Sequence, residues 1–369
     1  MKGRTIILAT ITLITFSCDR HGGEAQPGPA VGSAEHPPPE SNVVDKRDAT
    51  VLAPVLDYAL EDGRNVIWCA SFQLAWNELR DVVIGSDITL QDGPDWVSIL
   101  NRKTVTKDDL SPDAYVALVG RKKDNIVARI NEELRRKFPP PVPELRLELD
   151  SNTIVAYAYL RKALRFMEKF DSCNEPMRFQ SGTNAWNAAC FGIAPSRSDS
   201  ERFRAMSRQV SIVSYRDESD FVIMLTTEGN QDQIILAKTT PAQTLSATVD
   251  RVLVVVQKAK PFPLATHEPL WIPKVSFDLE RSFEELIGKF LRNPGWEGLY
   301  IDVAMQHTQF DLDERGAMLS SEARIEIKSS EGRARFIFDR PFLILLRQVN
   351  RERPYFAAWI ANGELLAKR

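Results

Sequence analysis

Four prolines within five residues, Pro139, Pro140, Pro141 and Pro143, cut this chain into two parts of different character. Proline lacks an amide hydrogen and pushes the residue before it out of helical geometry, so no helix or ladder runs through the cluster. Before it, apolar residues recur at helical spacing, and Val51–Leu60 and Val66–Val83 read as helices. Asp92-Gly93-Pro94 marks a loop and Trp96–Leu100 a short helix. Ser111-Pro112-Asp113 starts a helix that could run to Phe138 with a break near Gly120. After the prolines the signal is mostly strand, at Leu145–Leu149, Thr153–Leu160, Val210–Tyr215, Phe221–Thr226, Val252–Gln257, Leu270–Asp278, Tyr300–Leu312, Ala334–Phe338 and Phe342–Val349. Pro241–Val249 and Phe283–Leu291 read as helical interruptions. Helices first and strands after, with no second linker, predict an α+β fold with large, mostly antiparallel sheets.

The N-terminus has its own logic. Lys2 and Arg4 precede a 12-residue apolar run, Thr5–Phe16, which is short for a bilayer span and suited to a signal-peptide core. It ends at Ser17-Cys18, which resembles the processing site of bacterial lipoproteins, where the cysteine is acylated and becomes the new N-terminus. Thr15 and Phe16 depart from the usual aliphatic-then-small pattern; the alternative is an ordinary or uncleaved signal with Cys18 a stray thiol. The Gly-, Ala-, Glu- and Pro-rich stretch that follows buries too little apolar surface to order itself. The expected organisation is a signal peptide over 1–17, a tether over 18–45 and one domain over 46–369. An exported protein anchored at the cell envelope by a lipid on Cys18 follows. Thiols pair outside the cytoplasm, so a Cys173–Cys190 disulfide across a hairpin region is open, with Cys69 a buried free thiol in a helical run.

The residues exclude much chemistry. A formal net charge of −3, with 43% hydrophobic and 26% charged residues, predicts no general affinity for nucleic acid. Of four histidines only His267 and His307 lie in the domain, neither with a second ligand at zinc spacing. No nucleophile elbow, phosphate loop or Cys-x-x-Cys pair is present. No enzyme, cofactor or metal site is expected. One basic run remains: Arg121, Lys122, Lys123, Arg129, Arg135, Arg136 and Lys137, diluted by Asp124, Glu132 and Glu133. A solvated helix face with a cationic last turn is the simpler reading, and a polyanion-binding helix the sharper one.

The C-terminal third carries the most specific pattern. Phe336-Ile337-Phe338-Asp339-Arg340-Pro341-Phe342-Leu343-Ile344-Leu345-Leu346 is a strand, a proline-marked turn and a second buried strand, and it resembles the signature of the serpin family. Asp313-Glu314-Arg315-Gly316-Ala317 resembles the serpin hinge, 25 residues separating Glu314 from Asp339. Leu270-Trp271-Ile272-Pro273-Lys274-Val275 with Ser282-Phe283-Glu284-Glu285-Leu286, Asn65–Glu78 and Ile154–Asp171 are similar to further family segments. The resemblance covers most of residues 50–366. Departures are Cys69-Ala70 for a Ser-Pro pair, Gln306 for a histidine (His307 is one residue out of step) and Tyr157 for an asparagine. The stretch between Glu78 and Thr153 is short for the family, so one helix and its neighbouring strand are expected to be reduced or missing.

The resemblance implies helices packed on large sheets, an exposed reactive loop over 315–338, and a monomer that acts as a suicide substrate. The target would be a serine or papain-like cysteine protease. Cleavage lets the hinge side of the loop enter the large sheet as a new strand. With Glu314 as the seventeenth residue before the cut, the reactive bond is Ser330–Glu331, with Lys328 or Arg333 as alternative cut sites. Insertion would bury Ala317, Leu319, Ser321, Ala323, Ile325 and Ile327 and expose the residues between them. Hinge residues after Gly316 and Ala317 are small in inhibitory members; here Met318, Leu319 and Glu322 interrupt Ser320 and Ser321. A non-inhibitory binding or structural role at the cell envelope is the alternative.

Overall fold

The computed structural model describes residues 6–18, 49–147, 153–195, 200–315 and 334–368. It begins with strand β1 (Ile6–Cys18), then β2 (Thr50–Ala53), β3 (Asn65–Cys69) and helix α1 (Ser71–Glu78). Helix α2 (Val97–Asn101), strand β4 (Tyr115–Arg121) and helix α3 (Ile126–Lys137) lead to the prolines. Beyond them lie β5 (Ile154–Leu164), β6 (Asp171–Ser172), the hairpin β7 (Met177–Ser181) and β8 (Asn184–Ala188), β9 (Cys190–Ile193) and helix α4 (Glu201–Ser207). A meander of β10 (Val210–Asp217), β11 (Asp220–Thr226) and β12 (Asp232–Lys238) precedes helix α5 (Leu245–Lys258). The last strands are β13 (Phe262–Pro263), β14 (Leu270–Pro273), β15 (Val275–Ser282), β16 (Leu299–Leu312), β17 (Phe336–Ile337), β18 (Phe342–Gln348) and β19 (Pro354–Ile360).

Among the described residues these strands build three sheets and the separate β7–β8 hairpin. The central sheet has the order β15-β16-β1-β5-β4 and is antiparallel throughout. A second sheet runs β13-β10-β11-β12-β18-β19-β3-β2, parallel only at β2–β3. A third runs β17-β14-β9-β6, with β17 parallel to β14. Gly192 permits the close approach of β9 and β14, because a Cβ there would fall 1.8 Å from the Leu270 carbonyl oxygen.

The two large sheets close on one core, in which Phe310 of β16 stacks on Phe356 of β19 at 4.7 Å between centroids. Helix α1 is embedded in it, with Phe72 and Trp76 fully buried and Phe72 4.3 Å from the Phe283 ring. The outer face of the central sheet, around Tyr157 and Tyr159, is covered by Ile126, Ile130 and Leu134 of α3 and by Val142, Leu145 and Leu147. The spacing of four residues along α3 gives it one apolar stripe.

Several expected elements are corrected. Val51–Leu60 holds β2 and turns rather than a helix, and the helix expected over Val66–Val83 starts only at Ser71. Every residue of β3 is buried, Cys69 among them, because a central strand covered on both faces reads as a continuous apolar run. The helix expected from Ser111 gives way to β4, whose apolar residues pair with β5 and face the core. Of the basic residues, Arg121, Lys122 and Lys123 therefore precede α3, and Arg129, Arg135, Arg136 and Lys137 lie within it. Leu145, in an expected strand, lies in irregular chain, and Phe283–Leu291 forms turns around the buried Phe283 and Leu286. Val252–Gln257 belongs to α5: Leu245, Val249, Val252 and Leu253 line one buried face, and that packing overrides β-branched propensity. Between Glu78 and Thr153 the described elements include a five-residue α2, β4 at the edge of the central sheet and α3.

Cys173 and Cys190 form a disulfide that closes off the β7–β8 hairpin, with a sequence separation of 17. Loops of this length gain about 3 kcal/mol from cross-linking the unfolded chain. Replacing both cysteines with serine should lower the urea-unfolding free energy by about that amount, while Cys69→Ser alone leaves disulfide content unchanged.

Candidate functional site

Leu312 ends β16, and the chain turns at once. The Arg315 amide donates to Asp313 Oδ1 (2.9 Å), while Phe170 and Phe166, in the turn after β5, donate to the carbonyls of Glu314 (2.8 Å) and Arg315 (3.2 Å). Phe166 and Phe170 pack edge to face at 4.8 Å and Phe191 closes the cluster. The Glu314 carboxylate is 5% exposed and ion-paired to Lys274, the single residue between β14 and β15. Burial works to raise its pKa, but the Lys274 hydrogen bond and charge, with a backbone hydrogen bond, outweigh it and hold the carboxyl below its ordinary value. The hinge glutamate thus pins three things together: the end of β16, the turn after β5, and the β14–β15 junction.

A second polar group lies under the same strands. Gln306 of β16 donates to Ser71 Oγ (2.9 Å) and to the Cys69 carbonyl (3.3 Å), tying the central sheet to the start of α1. Gln306 therefore bridges although the histidine of the family pattern is missing; His307 points to the other face and pairs with Asp278. Gln306 Oε1 and Thr308 Oγ1 are buried with no hydrogen-bond partner among the described residues. Further along β5, buried Lys162 pairs with Asp232 at 2.9 Å, and the Tyr355 hydroxyl donates to the same carboxylate (3.1 Å). Burial, then the Asp232 charge and hydrogen bond, push the Tyr355 phenol well above its ordinary pKa. This group links β5 to the second sheet.

Between β5 and β16 lies β1, the run read as a signal-peptide core. Residues Ala9–Thr15 pair with Gln309–Val303 on one side, and Ile6–Phe16 with Leu164–Ile154 on the other. Of the residues expected to precede the domain, 6–18 pair in the central sheet, and 19–45 lie outside the described residues. A run rich in isoleucine and threonine suits a strand as well as a leader, and here it completes two facing edges.

The signature segment is buried: Phe336, Phe338 and Phe342 to Leu346 have no exposed surface. Asp339 accepts from Lys238 Nζ at 2.6 Å, and the same ammonium donates to the Ile337 carbonyl (2.9 Å). The loop leaves the end of β16 in one sheet and returns at β17 in another. Its other named residues, Gly316, Ala317, Met318, Leu319, Ser320, Ser321, Glu322, Ser330 and Glu331, lie outside the described residues. Cys18 is the last residue of β1, opposite Leu299. Arg121, Lys122 and Lys123 precede α3, and Arg135, Arg136 and Lys137 end it, a 12-residue helix or about 18 Å away. Arg136 pairs with Glu133, and Lys137 donates to the Pro112 and Tyr115 carbonyls. Among the described residues no cluster of His, Cys, Asp or Glu could hold a metal.

Sequence reasoning missed Lys274, Lys162 and Asp232 as structural partners. Lys162 carried a signal, being with Arg161 one of two charges inside the otherwise apolar or aromatic run Ile154–Leu164. Glu314→Gln should cost about 1.5–3 kcal/mol, the range for a hydrogen bond to a charged group. Because the folded carboxyl titrates below its ordinary 4.5, that contribution is present above the ordinary value and is lost as pH falls through the folded one. Thermal melts across acidic pH should show wild type and variant converging.

No protein-family model matches the sequence, and no curated protein matches it. Among solved structures the chain is similar to thyroxine-binding globulin in complex with thyroxine, at 11% identity and TM-score 0.49 over 81% of this chain and 93% of that one. It is similar to Serpin48 of the insect Tenebrio molitor at 10% identity and TM-score 0.41 over 79% and 96%. A human thyroxine-binding globulin structure gives 11% identity and TM-score 0.39 over 65% and 64%. The strand order of the large sheets, the Glu314–Lys274 pair at the end of β16 and the buried Phe336, Phe338 and Phe342–Leu346 belong to an α+β, serpin-like fold.

Proposed function

We propose that this chain is a serpin-type protease inhibitor that acts as a suicide substrate through its 315–338 loop. The observation that carries the reading is the position of the hinge. Glu314 sits at the end of β16, beside a strand-wide position in the central sheet, and the chain beyond it must return to a different sheet at β17. In that reading a protease cuts at Ser330–Glu331 and is held as an acyl-enzyme while the freed segment enters the sheet. Burial of Leu319, Ile325 and Ile327 would contribute roughly 1.5–3 kcal/mol each. The small residue before the bond suits an elastase-like pocket, whereas Lys328 or Arg333 would suit a trypsin-like one.

One observation favours a second reading, a non-inhibitory serpin-like binding or structural protein. In the full-length chain β1 already fills the position that an inserting strand would need, and Leu319 must thread early. Incubating the exported protein with a panel of serine and papain-like cysteine proteases separates the two. The inhibitor reading expects a complex that survives SDS, a released C-terminal fragment beginning at Glu331, and a higher melting temperature once the loop is nicked. Free cleaved protein, fully active protease and an unchanged melting temperature support the second reading.

The proposed setting is the cell envelope, with the chain attached through a lipid on Cys18. Cys18→Ala should release the protein from membranes or block its processing. Wild type and variant fractionating alike as soluble proteins would count against the anchor.

A further inference from the structure

Taking 315–338 as an inserting loop, as proposed above, we infer that Ile6–Cys18 is a plug for the same strand position. The full-length chain is then closed against its own loop until that strand is removed or displaced.

The pairing leaves room for one strand only. β1 is bonded on both sides, and neighbouring strands lie about 4.8 Å apart. Its direction is also that of an entering loop. β1 starts beside the C-terminal end of β16, with Ala9 opposite Gln309, and runs back to Cys18 opposite Leu299. A segment that left β16 after Leu312 and folded back would cover the same residues in the same sense. Its length fits as well: β1 has 13 residues, and the alternating segment runs from Ala317 to Lys328.

The two segments also match position by position. In β1, Thr10 is opposite Thr308, Thr12 opposite Gln306 and Ile14 opposite Ala304. On the β5 side the same three residues are opposite Leu160, Ala158 and Ala156, which belong to the core between the two large sheets. A turn over residues 313–316 would set Ala317 opposite Leu312, and therefore Ser321 opposite Thr308, Ala323 opposite Gln306 and Ile325 opposite Ala304. One step earlier, Leu8 and Leu319 would share a position. Leu-x-Thr-x-Thr-x-Ile in β1 corresponds to Leu-x-Ser-x-Ala-x-Ile in the loop. Both put small or hydroxylated residues at the register positions opposite Gln306 and Thr308, whose Oε1 and Oγ1 are buried without a partner among the described residues, and an isoleucine opposite Ala304. Processing at Ser17-Cys18 would remove all of β1 but its last residue, so the lipid-anchored form would be the open one.

The test compares three proteins: the full-length chain with its N-terminus retained, the same chain carrying Ile11→Pro, and the exported form. Proline in the middle of a paired strand removes a ladder donor and breaks the plug. A synthetic Ile6–Cys18 peptide is the probe in trans. The full-length chain should gain little melting temperature when its loop is nicked, while the Ile11→Pro and exported forms gain clearly. The peptide should raise the melting temperature of the uncut exported form and suppress its gain on nicking. An equal gain in the full-length and Ile11→Pro chains overturns the plug. So does a peptide without effect together with identical melting of the uncut full-length and Ile11→Pro chains. If the peptide stabilises the exported form but nicking stabilises none of the three, the plug stands and the inserting-loop function falls.

Discussion

β5 and β16 run in the same direction in the middle of the central sheet, and each pairs with β1 rather than with the other. Two facing edges, each with a row of backbone donors and acceptors, therefore need a third strand between them. Buried backbone groups without partners are costly, and an open edge in a sheet recruits whatever extended chain can reach it. The rest of the molecule is arranged around that requirement. The hinge pin sits where a folding-back strand would begin, Gln306 ties the lower part of β16 to α1, and Lys162 ties β5 to the second sheet.

Backbone pairing cannot choose between occupants, because any strand supplies the same ladder. Tethering can. The loop is attached at both ends, to β16 in one sheet and β17 in another, which works against its folding fully back while intact. The N-terminal strand is joined to β2 through residues 19–49, 31 residues by the element boundaries. In the intact chain that position is held by the N-terminal segment. Cutting the loop changes this, since the hinge side is then free at its far end and joined to β16 by a turn of only a few residues.

Much of this was legible beforehand. The hinge glutamate and the buried Phe336–Leu346 segment follow from residue order, and the long strands β5, β10, β11, β16 and β18 from alternation and β-branched content. What was not legible depends on contacts distant in sequence. β3 and α1 merge into one apolar run because both are wholly buried, so periodicity cannot separate them. The valines of α5 read as a strand until their packing against the second sheet is known. Lys274 lies within a recognisable motif, yet its partner is 40 residues away, and Lys162 and Asp232 are 70 apart. The apolar N-terminal run is the sharpest case, since the composition that suits a leader also suits a strand.

The polar groups beneath the central strand position bear on how readily its occupant can change. A slot lined only by Ala156, Ala158 and Ala304 would hold an apolar strand tightly, since each buried methylene adds about 0.8 kcal/mol. Here the same face carries Gln306 Oε1 and Thr308 Oγ1, desolvated and unpartnered among the described residues, and such atoms cost about 1–3 kcal/mol apiece. That cost falls away when the strands part and water reaches them, which lowers the work of opening the sheet. The Glu314–Lys274 pair acts in the opposite sense after Leu312, where parting the strands exposes a buried ion pair. The balance lies between a top that is held and a middle that is loosened, which is what a sheet needs if it is to remain closed and still exchange one strand for another.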